Sequence, residues 1–287
     1  MQLEGRRTSG NVDDRRGGGG TKATLGIGGV IIAAIIAWLM GGNPLEVITS
    51  QLGDVVQNAT VGGSGYVPSE KEEAMALFAS QILAGTEDVW TKEFAKMGRK
   101  YVPPKMVLFT RATSSGCGSA TSQTGPFYCS ADQTVYIDLS FFDQMKNQLG
   151  AGGDFAYAYV IAHEVGHHVQ YLLGDLTKIH QMQSRVSKAE SNQLSVRLEL
   201  QADFYAGIWA FHDNEMYHSL EVGDIEKGLN AASAIGDDRL QMQSQGYTVP
   251  DAFNHGTSAQ RVRWLRKGAS TGRVADGDTF SPQYASL

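Results

Sequence analysis

The sequence predicts a mostly helical α+β domain with a small β-sheet beside its key helix, preceded by one transmembrane helix. Three observations carry that expectation. Residues 23–42, ATLGIGGVIIAAIIAWLMGG, hold no charge. Downstream, long segments of helical apolar spacing dominate, and short strand-like runs cluster just ahead of one of them. That helix, YVIAHEVGHHVQYLLG (159–174), places three of the chain's seven histidines and a carboxylate within an apolar run.

Residues 1–22, MQLEGRRTSGNVDDRRGGGGTK, are polar and Gly-rich and lack a hydrophobic pattern, so a disordered tail is expected. The uncharged run is long enough to span a bilayer at a rise of about 1.5 Å per residue. Trp38 lies toward its far end, where an amphipathic ring suits the interface. Arg6, Arg7, Arg15, Arg16 and Lys22 precede the run, and the first charges after it are Glu46 and Asp54. The positive-inside rule then puts residues 1–22 in the cytoplasm and the body outside. A cleaved signal peptide is the alternative, but the run is longer than a signal core and no A-x-A site follows.

The 287 residues suffice for one large domain or two small ones with a substantial core. A net charge of −6 speaks against a nucleic-acid surface, which needs a basic patch. Cys117 and Cys129 are too few for a disulfide scaffold or a cysteine-rich zinc site. An extracytoplasmic body would oxidise them to a disulfide, with two buried free thiols as the alternative. Oligomeric state is left open.

Residues 43–68 read as a linker, and a domain over 69–268 follows, with a loose C-terminal tail over 269–287. SEKE (69–72) is a capping box, with helical spacing in AMALFASQIL and again in TEDVWTKEFAKMG. KMVLFTR (105–111) reads as a strand, residues 112–133 as a Gly, Ser and Thr-rich connection. QTVYIDLSFF (133–142) reads as a second strand, with Val135, Ile137 and Leu139 on one face. The histidine helix starts at Asp154 and stops at Gly174. Further helices are expected over about 180–213, over GDIEKGLNAASAIGDDRLQMQ, and after Thr257 or Ser258.

His163-Glu164-Val165-Gly166-His167 matches H-E-x-x-H. On a helix, i and i+4 share a face, so the two imidazoles can reach one Zn²⁺ at about 2.0–2.1 Å. Glu164 projects beside them and can take a proton from a metal-activated water. Gly166 leaves room for substrate or a neighbouring strand. His168 lies about 100° further round and should miss the metal. A catalytic zinc needs a third protein ligand and an open position. Gln170 stands where a metzincin needs Gly, and position 173 is not His. RLELQADFYAG (197–207) offers Glu199 as the ligand and Asp203 one turn on, placed to accept the other ring N–H of a ligating His. Ala202 and Ala206 would let the two helices approach closely. A surface helix with a solvent-facing Glu and Asp is the alternative.

H-E-x-x-H followed by E-x-x-A-D resembles the gluzincin metallopeptidases, including the HtpX-like and CAAX-protease group. The whole chain is more similar still to the neutral zinc metallopeptidase family of bacteria (YpfJ-type). The matching stretches are GRRTSGNVDDRR, the single apolar span, GCGSATSQTGPFYCSADQTVYIDLSFF, VIAHEVGHHVQ, ELQADFYAG and HGTSAQRVRWL. The resemblance implies a zincin-like domain anchored in the bacterial plasma membrane, acting as a zinc peptidase on peptides or proteins. It also draws attention to NHGTSAQR (254–261), similar to an H-P-S-x-x-x-R element with Gly256 in place of Pro. His255 is then a candidate donor to the oxyanion, and Arg261 a candidate brace for that segment. TVYIDL is a candidate edge for strand addition by a peptide; Tyr136 reads as an ordinary strand residue, with a substrate contact as the alternative. The competing reading is a membrane-tethered scaffold that keeps a zinc-stabilised fold without turnover. Glu164 discriminates, because structural zinc needs no general base. The metal loaded in the cell is open, since this donor set also tolerates cobalt or manganese.

Overall fold

The computed structural model describes residues 1–17 and 66–287. The apolar run 23–42 and residues 43–65 of the expected linker lie outside them. Among the described residues no helix is long and apolar enough to cross a membrane.

The body starts at helix α1 (Glu70–Lys96), where Ser69 and Glu72 form the capping box the sequence signals. The two helical segments expected here are one continuous helix. Gly85, which reads as a break, is retained in mid-helix for a packing reason. A Cβ there would lie 2.7 Å from the Arg6 side chain and 2.8 Å from that of Asp213.

Strands β1 (Val12–Asp14), β2 (Lys105–Phe109), β5 (Phe127–Cys129) and β6 (Thr134–Asp138) form one sheet in the order β1-β2-β6-β5. The first two pairings are parallel, the last antiparallel. Strands β3 (Ala112–Ser115) and β4 (Gly118–Thr121) form a separate hairpin in the Gly, Ser and Thr-rich connection. Cys117 and Cys129 are joined as a disulfide that ties this hairpin to β5. The sixth strand is shorter than its alternation suggests. Asp138 Oδ1 accepts the Ser140 N–H at 2.9 Å, and helix α2 (Ser140–Gln148) starts there. All five residues of β6 are buried, as a strand flanked on both edges requires. Strand addition along TVYIDL is therefore blocked by β2 and β5, and the outer edge belongs to β5.

Helix α3 (Asp154–Leu173) carries the histidines. Its N-cap is Gly153 rather than Asp154, and Gly174 closes it with φ +94°. The expected long return helix is two: α4 (Asp175–Gln183) and α5 (Lys188–Tyr217), divided by the Ser187–Glu190 capping box. The next is also two, α6 (Asp224–Ala234) and α7 (Asp237–Gln245). The break falls at Gly236, where a Cβ would lie 2.4 Å from the Ser258 N. Helix α8 (Ser258–Thr271) starts from a Thr257–Gln260 capping box. Helices α3, α5 and α8 pack into one bundle around Tyr159, Phe155, Phe204 and Trp209, all fully buried.

Both chain ends depart from expectation. Residues 1–17 are folded onto the body: β1 extends the sheet, and Arg6 reaches Asp213 at 2.6 Å. A segment of polar residues without periodicity is ordered here by long-range partners that its own sequence does not display. The C-terminal segment also packs. Thr279 is fully buried and exchanges hydrogen bonds with Arg197, and Arg263 holds the Leu287 carbonyl at 2.6 Å.

Candidate active site

His163 and His167 stand one turn apart on α3, their ring centroids 4.8 Å apart and their planes nearly perpendicular. Glu199 approaches from α5, with Oε2 3.2 Å from His163 Nε2 and Oε1 3.4 Å from His167 Nε2. The three donor atoms lie within 4.8 Å of one another. A tetrahedral ion with bonds of about 2.0–2.1 Å needs ligand atoms about 3.4 Å apart, so this donor set fits zinc.

The helices meet closely because nothing stands between them. A Cβ on Gly166 would lie 3.0 Å from the Ala202 carbonyl oxygen. Gly166 thus makes room for α5, not for substrate or a strand. Ala202 faces it, as the spacing of small residues suggests.

Each imidazole is oriented through its far nitrogen. His163 Nδ1 lies 2.8 Å from Asp203 Oδ1, the contact expected of an aspartate one turn beyond Glu199. His167 Nδ1 lies 2.9 Å from Gln170 Oε1, and the Gln170 amide donates to the Leu198 carbonyl at 2.7 Å. Gln170, noted in the sequence only for not being glycine, thereby links both helices to the second imidazole. Asp203 is itself braced by the Tyr159 hydroxyl at 2.6 Å and by Arg261, through Nε at 2.8 Å and a terminal nitrogen at 2.9 Å. Arg261 is 2% exposed, so it is an internal counter-charge and not a surface residue. The resemblance of residues 254–261 to an H-P-S-x-x-x-R element is what pointed to it.

The electrostatics follow from burial and pairing. Burial works against charge on Asp203, but Arg261 and His163 outweigh it and lower its pKa. Burial also opposes ionised Glu199, and His167 and His163 hold it well below the carboxylate range. Burial opposes protonation of His163, yet Asp203 and Glu199 raise its pKa to about 10. Glu164 differs: burial dominates and raises its pKa, with the two histidines pulling the other way.

His168 points elsewhere, as its angle on the helix dictates. Burial lowers its pKa to about 4, so the ring is neutral. Nε2–H donates to the Val102 carbonyl at 2.7 Å and Nδ1 accepts from the Tyr128 hydroxyl at 2.8 Å. It fastens β5 and the chain before β2 to α3.

His255 is half-exposed beside the site, close enough for its charge to act on Glu199. Its Nδ1 lies 3.2 Å from Asp237 Oδ1, while Asp237 Oδ2 accepts the N–H groups of Asn254, His255 and Gly256 at 2.8, 2.7 and 2.9 Å. Asp237 escaped the sequence reading because it was folded into one long helix. Tyr136 is not part of the site: its ring stacks on Phe127 and its hydroxyl donates to Asp132 at 2.8 Å.

The family model described as "Putative neutral zinc metallopeptidase" matches residues 1–280. A protein of Escherichia coli strain K12, printed as "Uncharacterized protein YpfJ", is 50% identical over 290 residues, covering 98% of this chain and 99% of the relative. A protein of Mycobacterium tuberculosis strain H37Rv, "Uncharacterized protein Rv2575", is 44% identical over 191 residues, or 63% of this chain and 64% of its own. No solved structure matches the chain.

Proposed function

The chain belongs to the neutral zinc metallopeptidase family, and from that premise we propose that it is a zinc-dependent peptidase that hydrolyses peptide bonds with an activated water. The observation that carries this reading is the convergence of His163, His167 and Glu199 beside a buried Glu164. His163, His167 and Glu199 would hold Zn²⁺. When bound, the ion would supply Lewis-acid polarisation and a lowered water pKa.

This chain's own residues do the rest. Glu164, buried beside the two histidines, takes a proton from the attacking water and delivers it to the leaving amine. Asp203 and Gln170 keep the two Nε2 atoms turned inward by holding the opposite ring nitrogens. His255, steered by Asp237, is placed to donate to the developing oxyanion. The outer edge of β5, beside α3, is available for a peptide backbone. Among the described residues the ion-binding group has three protein donors, which favours an open catalytic position over a closed structural one. The disulfide supports an oxidising compartment for the body.

The test is metal analysis paired with peptide-library digestion. We expect about one zinc per chain, loss of zinc in His163→Ala, and retained zinc with hydrolysis reduced about 10²–10⁴-fold in Glu164→Gln. Unchanged zinc in His163→Ala would refute the ligand set. Wild-type turnover by Glu164→Gln would refute the mechanism.

A further inference from the structure

The charge rule applied to the sequence sets residues 1–17 and the body on opposite sides of a bilayer. We infer instead that residues 1–17 and 66–287 occupy the same compartment. The inference is independent of the peptidase reading.

The N-terminal segment is built into the body. Strand β1 pairs with β2 through Val12↔Met106, Asp13↔Val107 and Asp14↔Leu108. The pairing continues on either side, with the Met106 N–H donating to the Asn11 carbonyl at 2.9 Å and the Arg15 N–H to the Leu108 carbonyl at 2.8 Å. Upstream, Arg6 has a side chain only 9% exposed, paired with the 1% exposed Asp213 and lying 3.8 Å over the Tyr217 ring. Arg7 bonds Asp88, Glu87 and the Ala84 carbonyl. Ser9 and Asn11 both donate to Glu87, at 2.5 and 2.8 Å. Gly85 on α1 vacates the space that Arg6 fills.

The two ends of the intervening chain also meet. Gly17 packs directly against the Tyr66 ring. Arg16 donates to the Glu72 carbonyl at 2.8 Å, and the Tyr66 hydroxyl donates to the Glu72 side chain at 2.5 Å. Gly17 and Tyr66, the described residues that flank 18–65, are in direct contact. A bilayer cannot lie between hydrogen-bonded strands, so β1 and β2 lie on one side of it.

The reason the charge rule misleads is visible in the same contacts. That rule counts basic residues that stay with cytoplasmic solvent and lipid headgroups. Here Arg6, Arg7 and Arg16 are counter-ions to Asp213, Asp88 and Glu73 of the body. Withdrawing them would leave Asp213 and Glu87 buried without their partners and β2 with a bare edge.

Cysteine labelling of the full chain tests this. Thr8 and Gln283 are exposed, and both native cysteines are in the disulfide, so Thr8→Cys and Gln283→Cys each introduce a single free thiol. Each variant, expressed in Escherichia coli, is treated with a membrane-impermeant maleimide in spheroplasts, with and without detergent. The expected result is the same behaviour for both positions, either labelled without detergent or protected until it is added. Labelling of one position in intact spheroplasts and of the other only after detergent would overturn the inference.

Discussion

The four-stranded sheet has two outer strands of three residues each, and they are secured by different chemistry. Strand β5 is fastened by nearby means: the disulfide at Cys129, and the Tyr128 hydroxyl on His168. It sits against α3 and therefore beside the candidate metal-binding group. The segment that carries β1 is fastened from far along the chain, by ion pairs such as Arg6 to Asp213. It sits at the opposite edge. The contrast separates two roles that a sheet edge can play. One edge adjoins the candidate site and is pinned by a disulfide and a side-chain hydrogen bond; the other completes the sheet, and its segment is pinned by charge.

This contrast gives expectations for each end. Arg6→Ala leaves Asp213 buried without its main partner and should cost about 3–5 kcal/mol. Denaturant midpoints would show it, while zinc content and turnover of the folded fraction stay unchanged; a loss of zinc would erase the distinction between the edges. At the other edge, His168 is buried neutral with a pKa of about 4 against 6.5 when unfolded. The unfolded state gains its proton first as the pH falls. The stability this neutral ring permits is complete above pH 6.5 and is lost progressively toward pH 4, by at most about 3 kcal/mol. A His168→Gln variant should lack that component in unfolding measured between pH 7 and 4. Removing the disulfide with Cys117→Ser and Cys129→Ser should cost about 2–3 kcal/mol, read as a lowered Tm. It should also depress turnover, because β5 adjoins the site; full turnover in the reduced protein would show that β5 needs no covalent support. The smallest effect is expected at Asp203→Asn, which should weaken zinc binding about 10–100-fold in competition with a chelator.

Local grammar made part of this legible in advance. H-E-x-x-H fixed the spacing of His163 and His167, and E-x-x-A-D put Glu199 and Asp203 on one helix face. The capping box at Ser69 marked one helix start to the residue, and Thr257 or Ser258 bracketed another. What was illegible depends on distant partners. Three residues cannot display a strand's alternation, so β1 looked like part of a tail. Ser187 and Gly236 interrupt runs whose helical spacing continues through them. Gln170 and Asp237 act through contacts with Leu198 and with residues 254–256, which no spacing rule connects. The apolar run 23–42 was read by rules for solvent and lipid, and those rules do not register that flanking arginines have partners elsewhere.

The close helix contacts have a further consequence. A Cβ on Gly207 would lie 2.3 Å from the Leu265 carbonyl oxygen, and one on Gly268 2.1 Å from that of Phe204, adding to the contact at Gly166. Helices α3, α5 and α8 thus touch main chain to main chain, with no side-chain cushion to thin or thicken. The spacing of the candidate ion-binding group is a fixed jaw set by peptide groups, and swapping core side chains cannot widen it. Adapting this scaffold to a larger ion calls for sliding or tilting a whole helix.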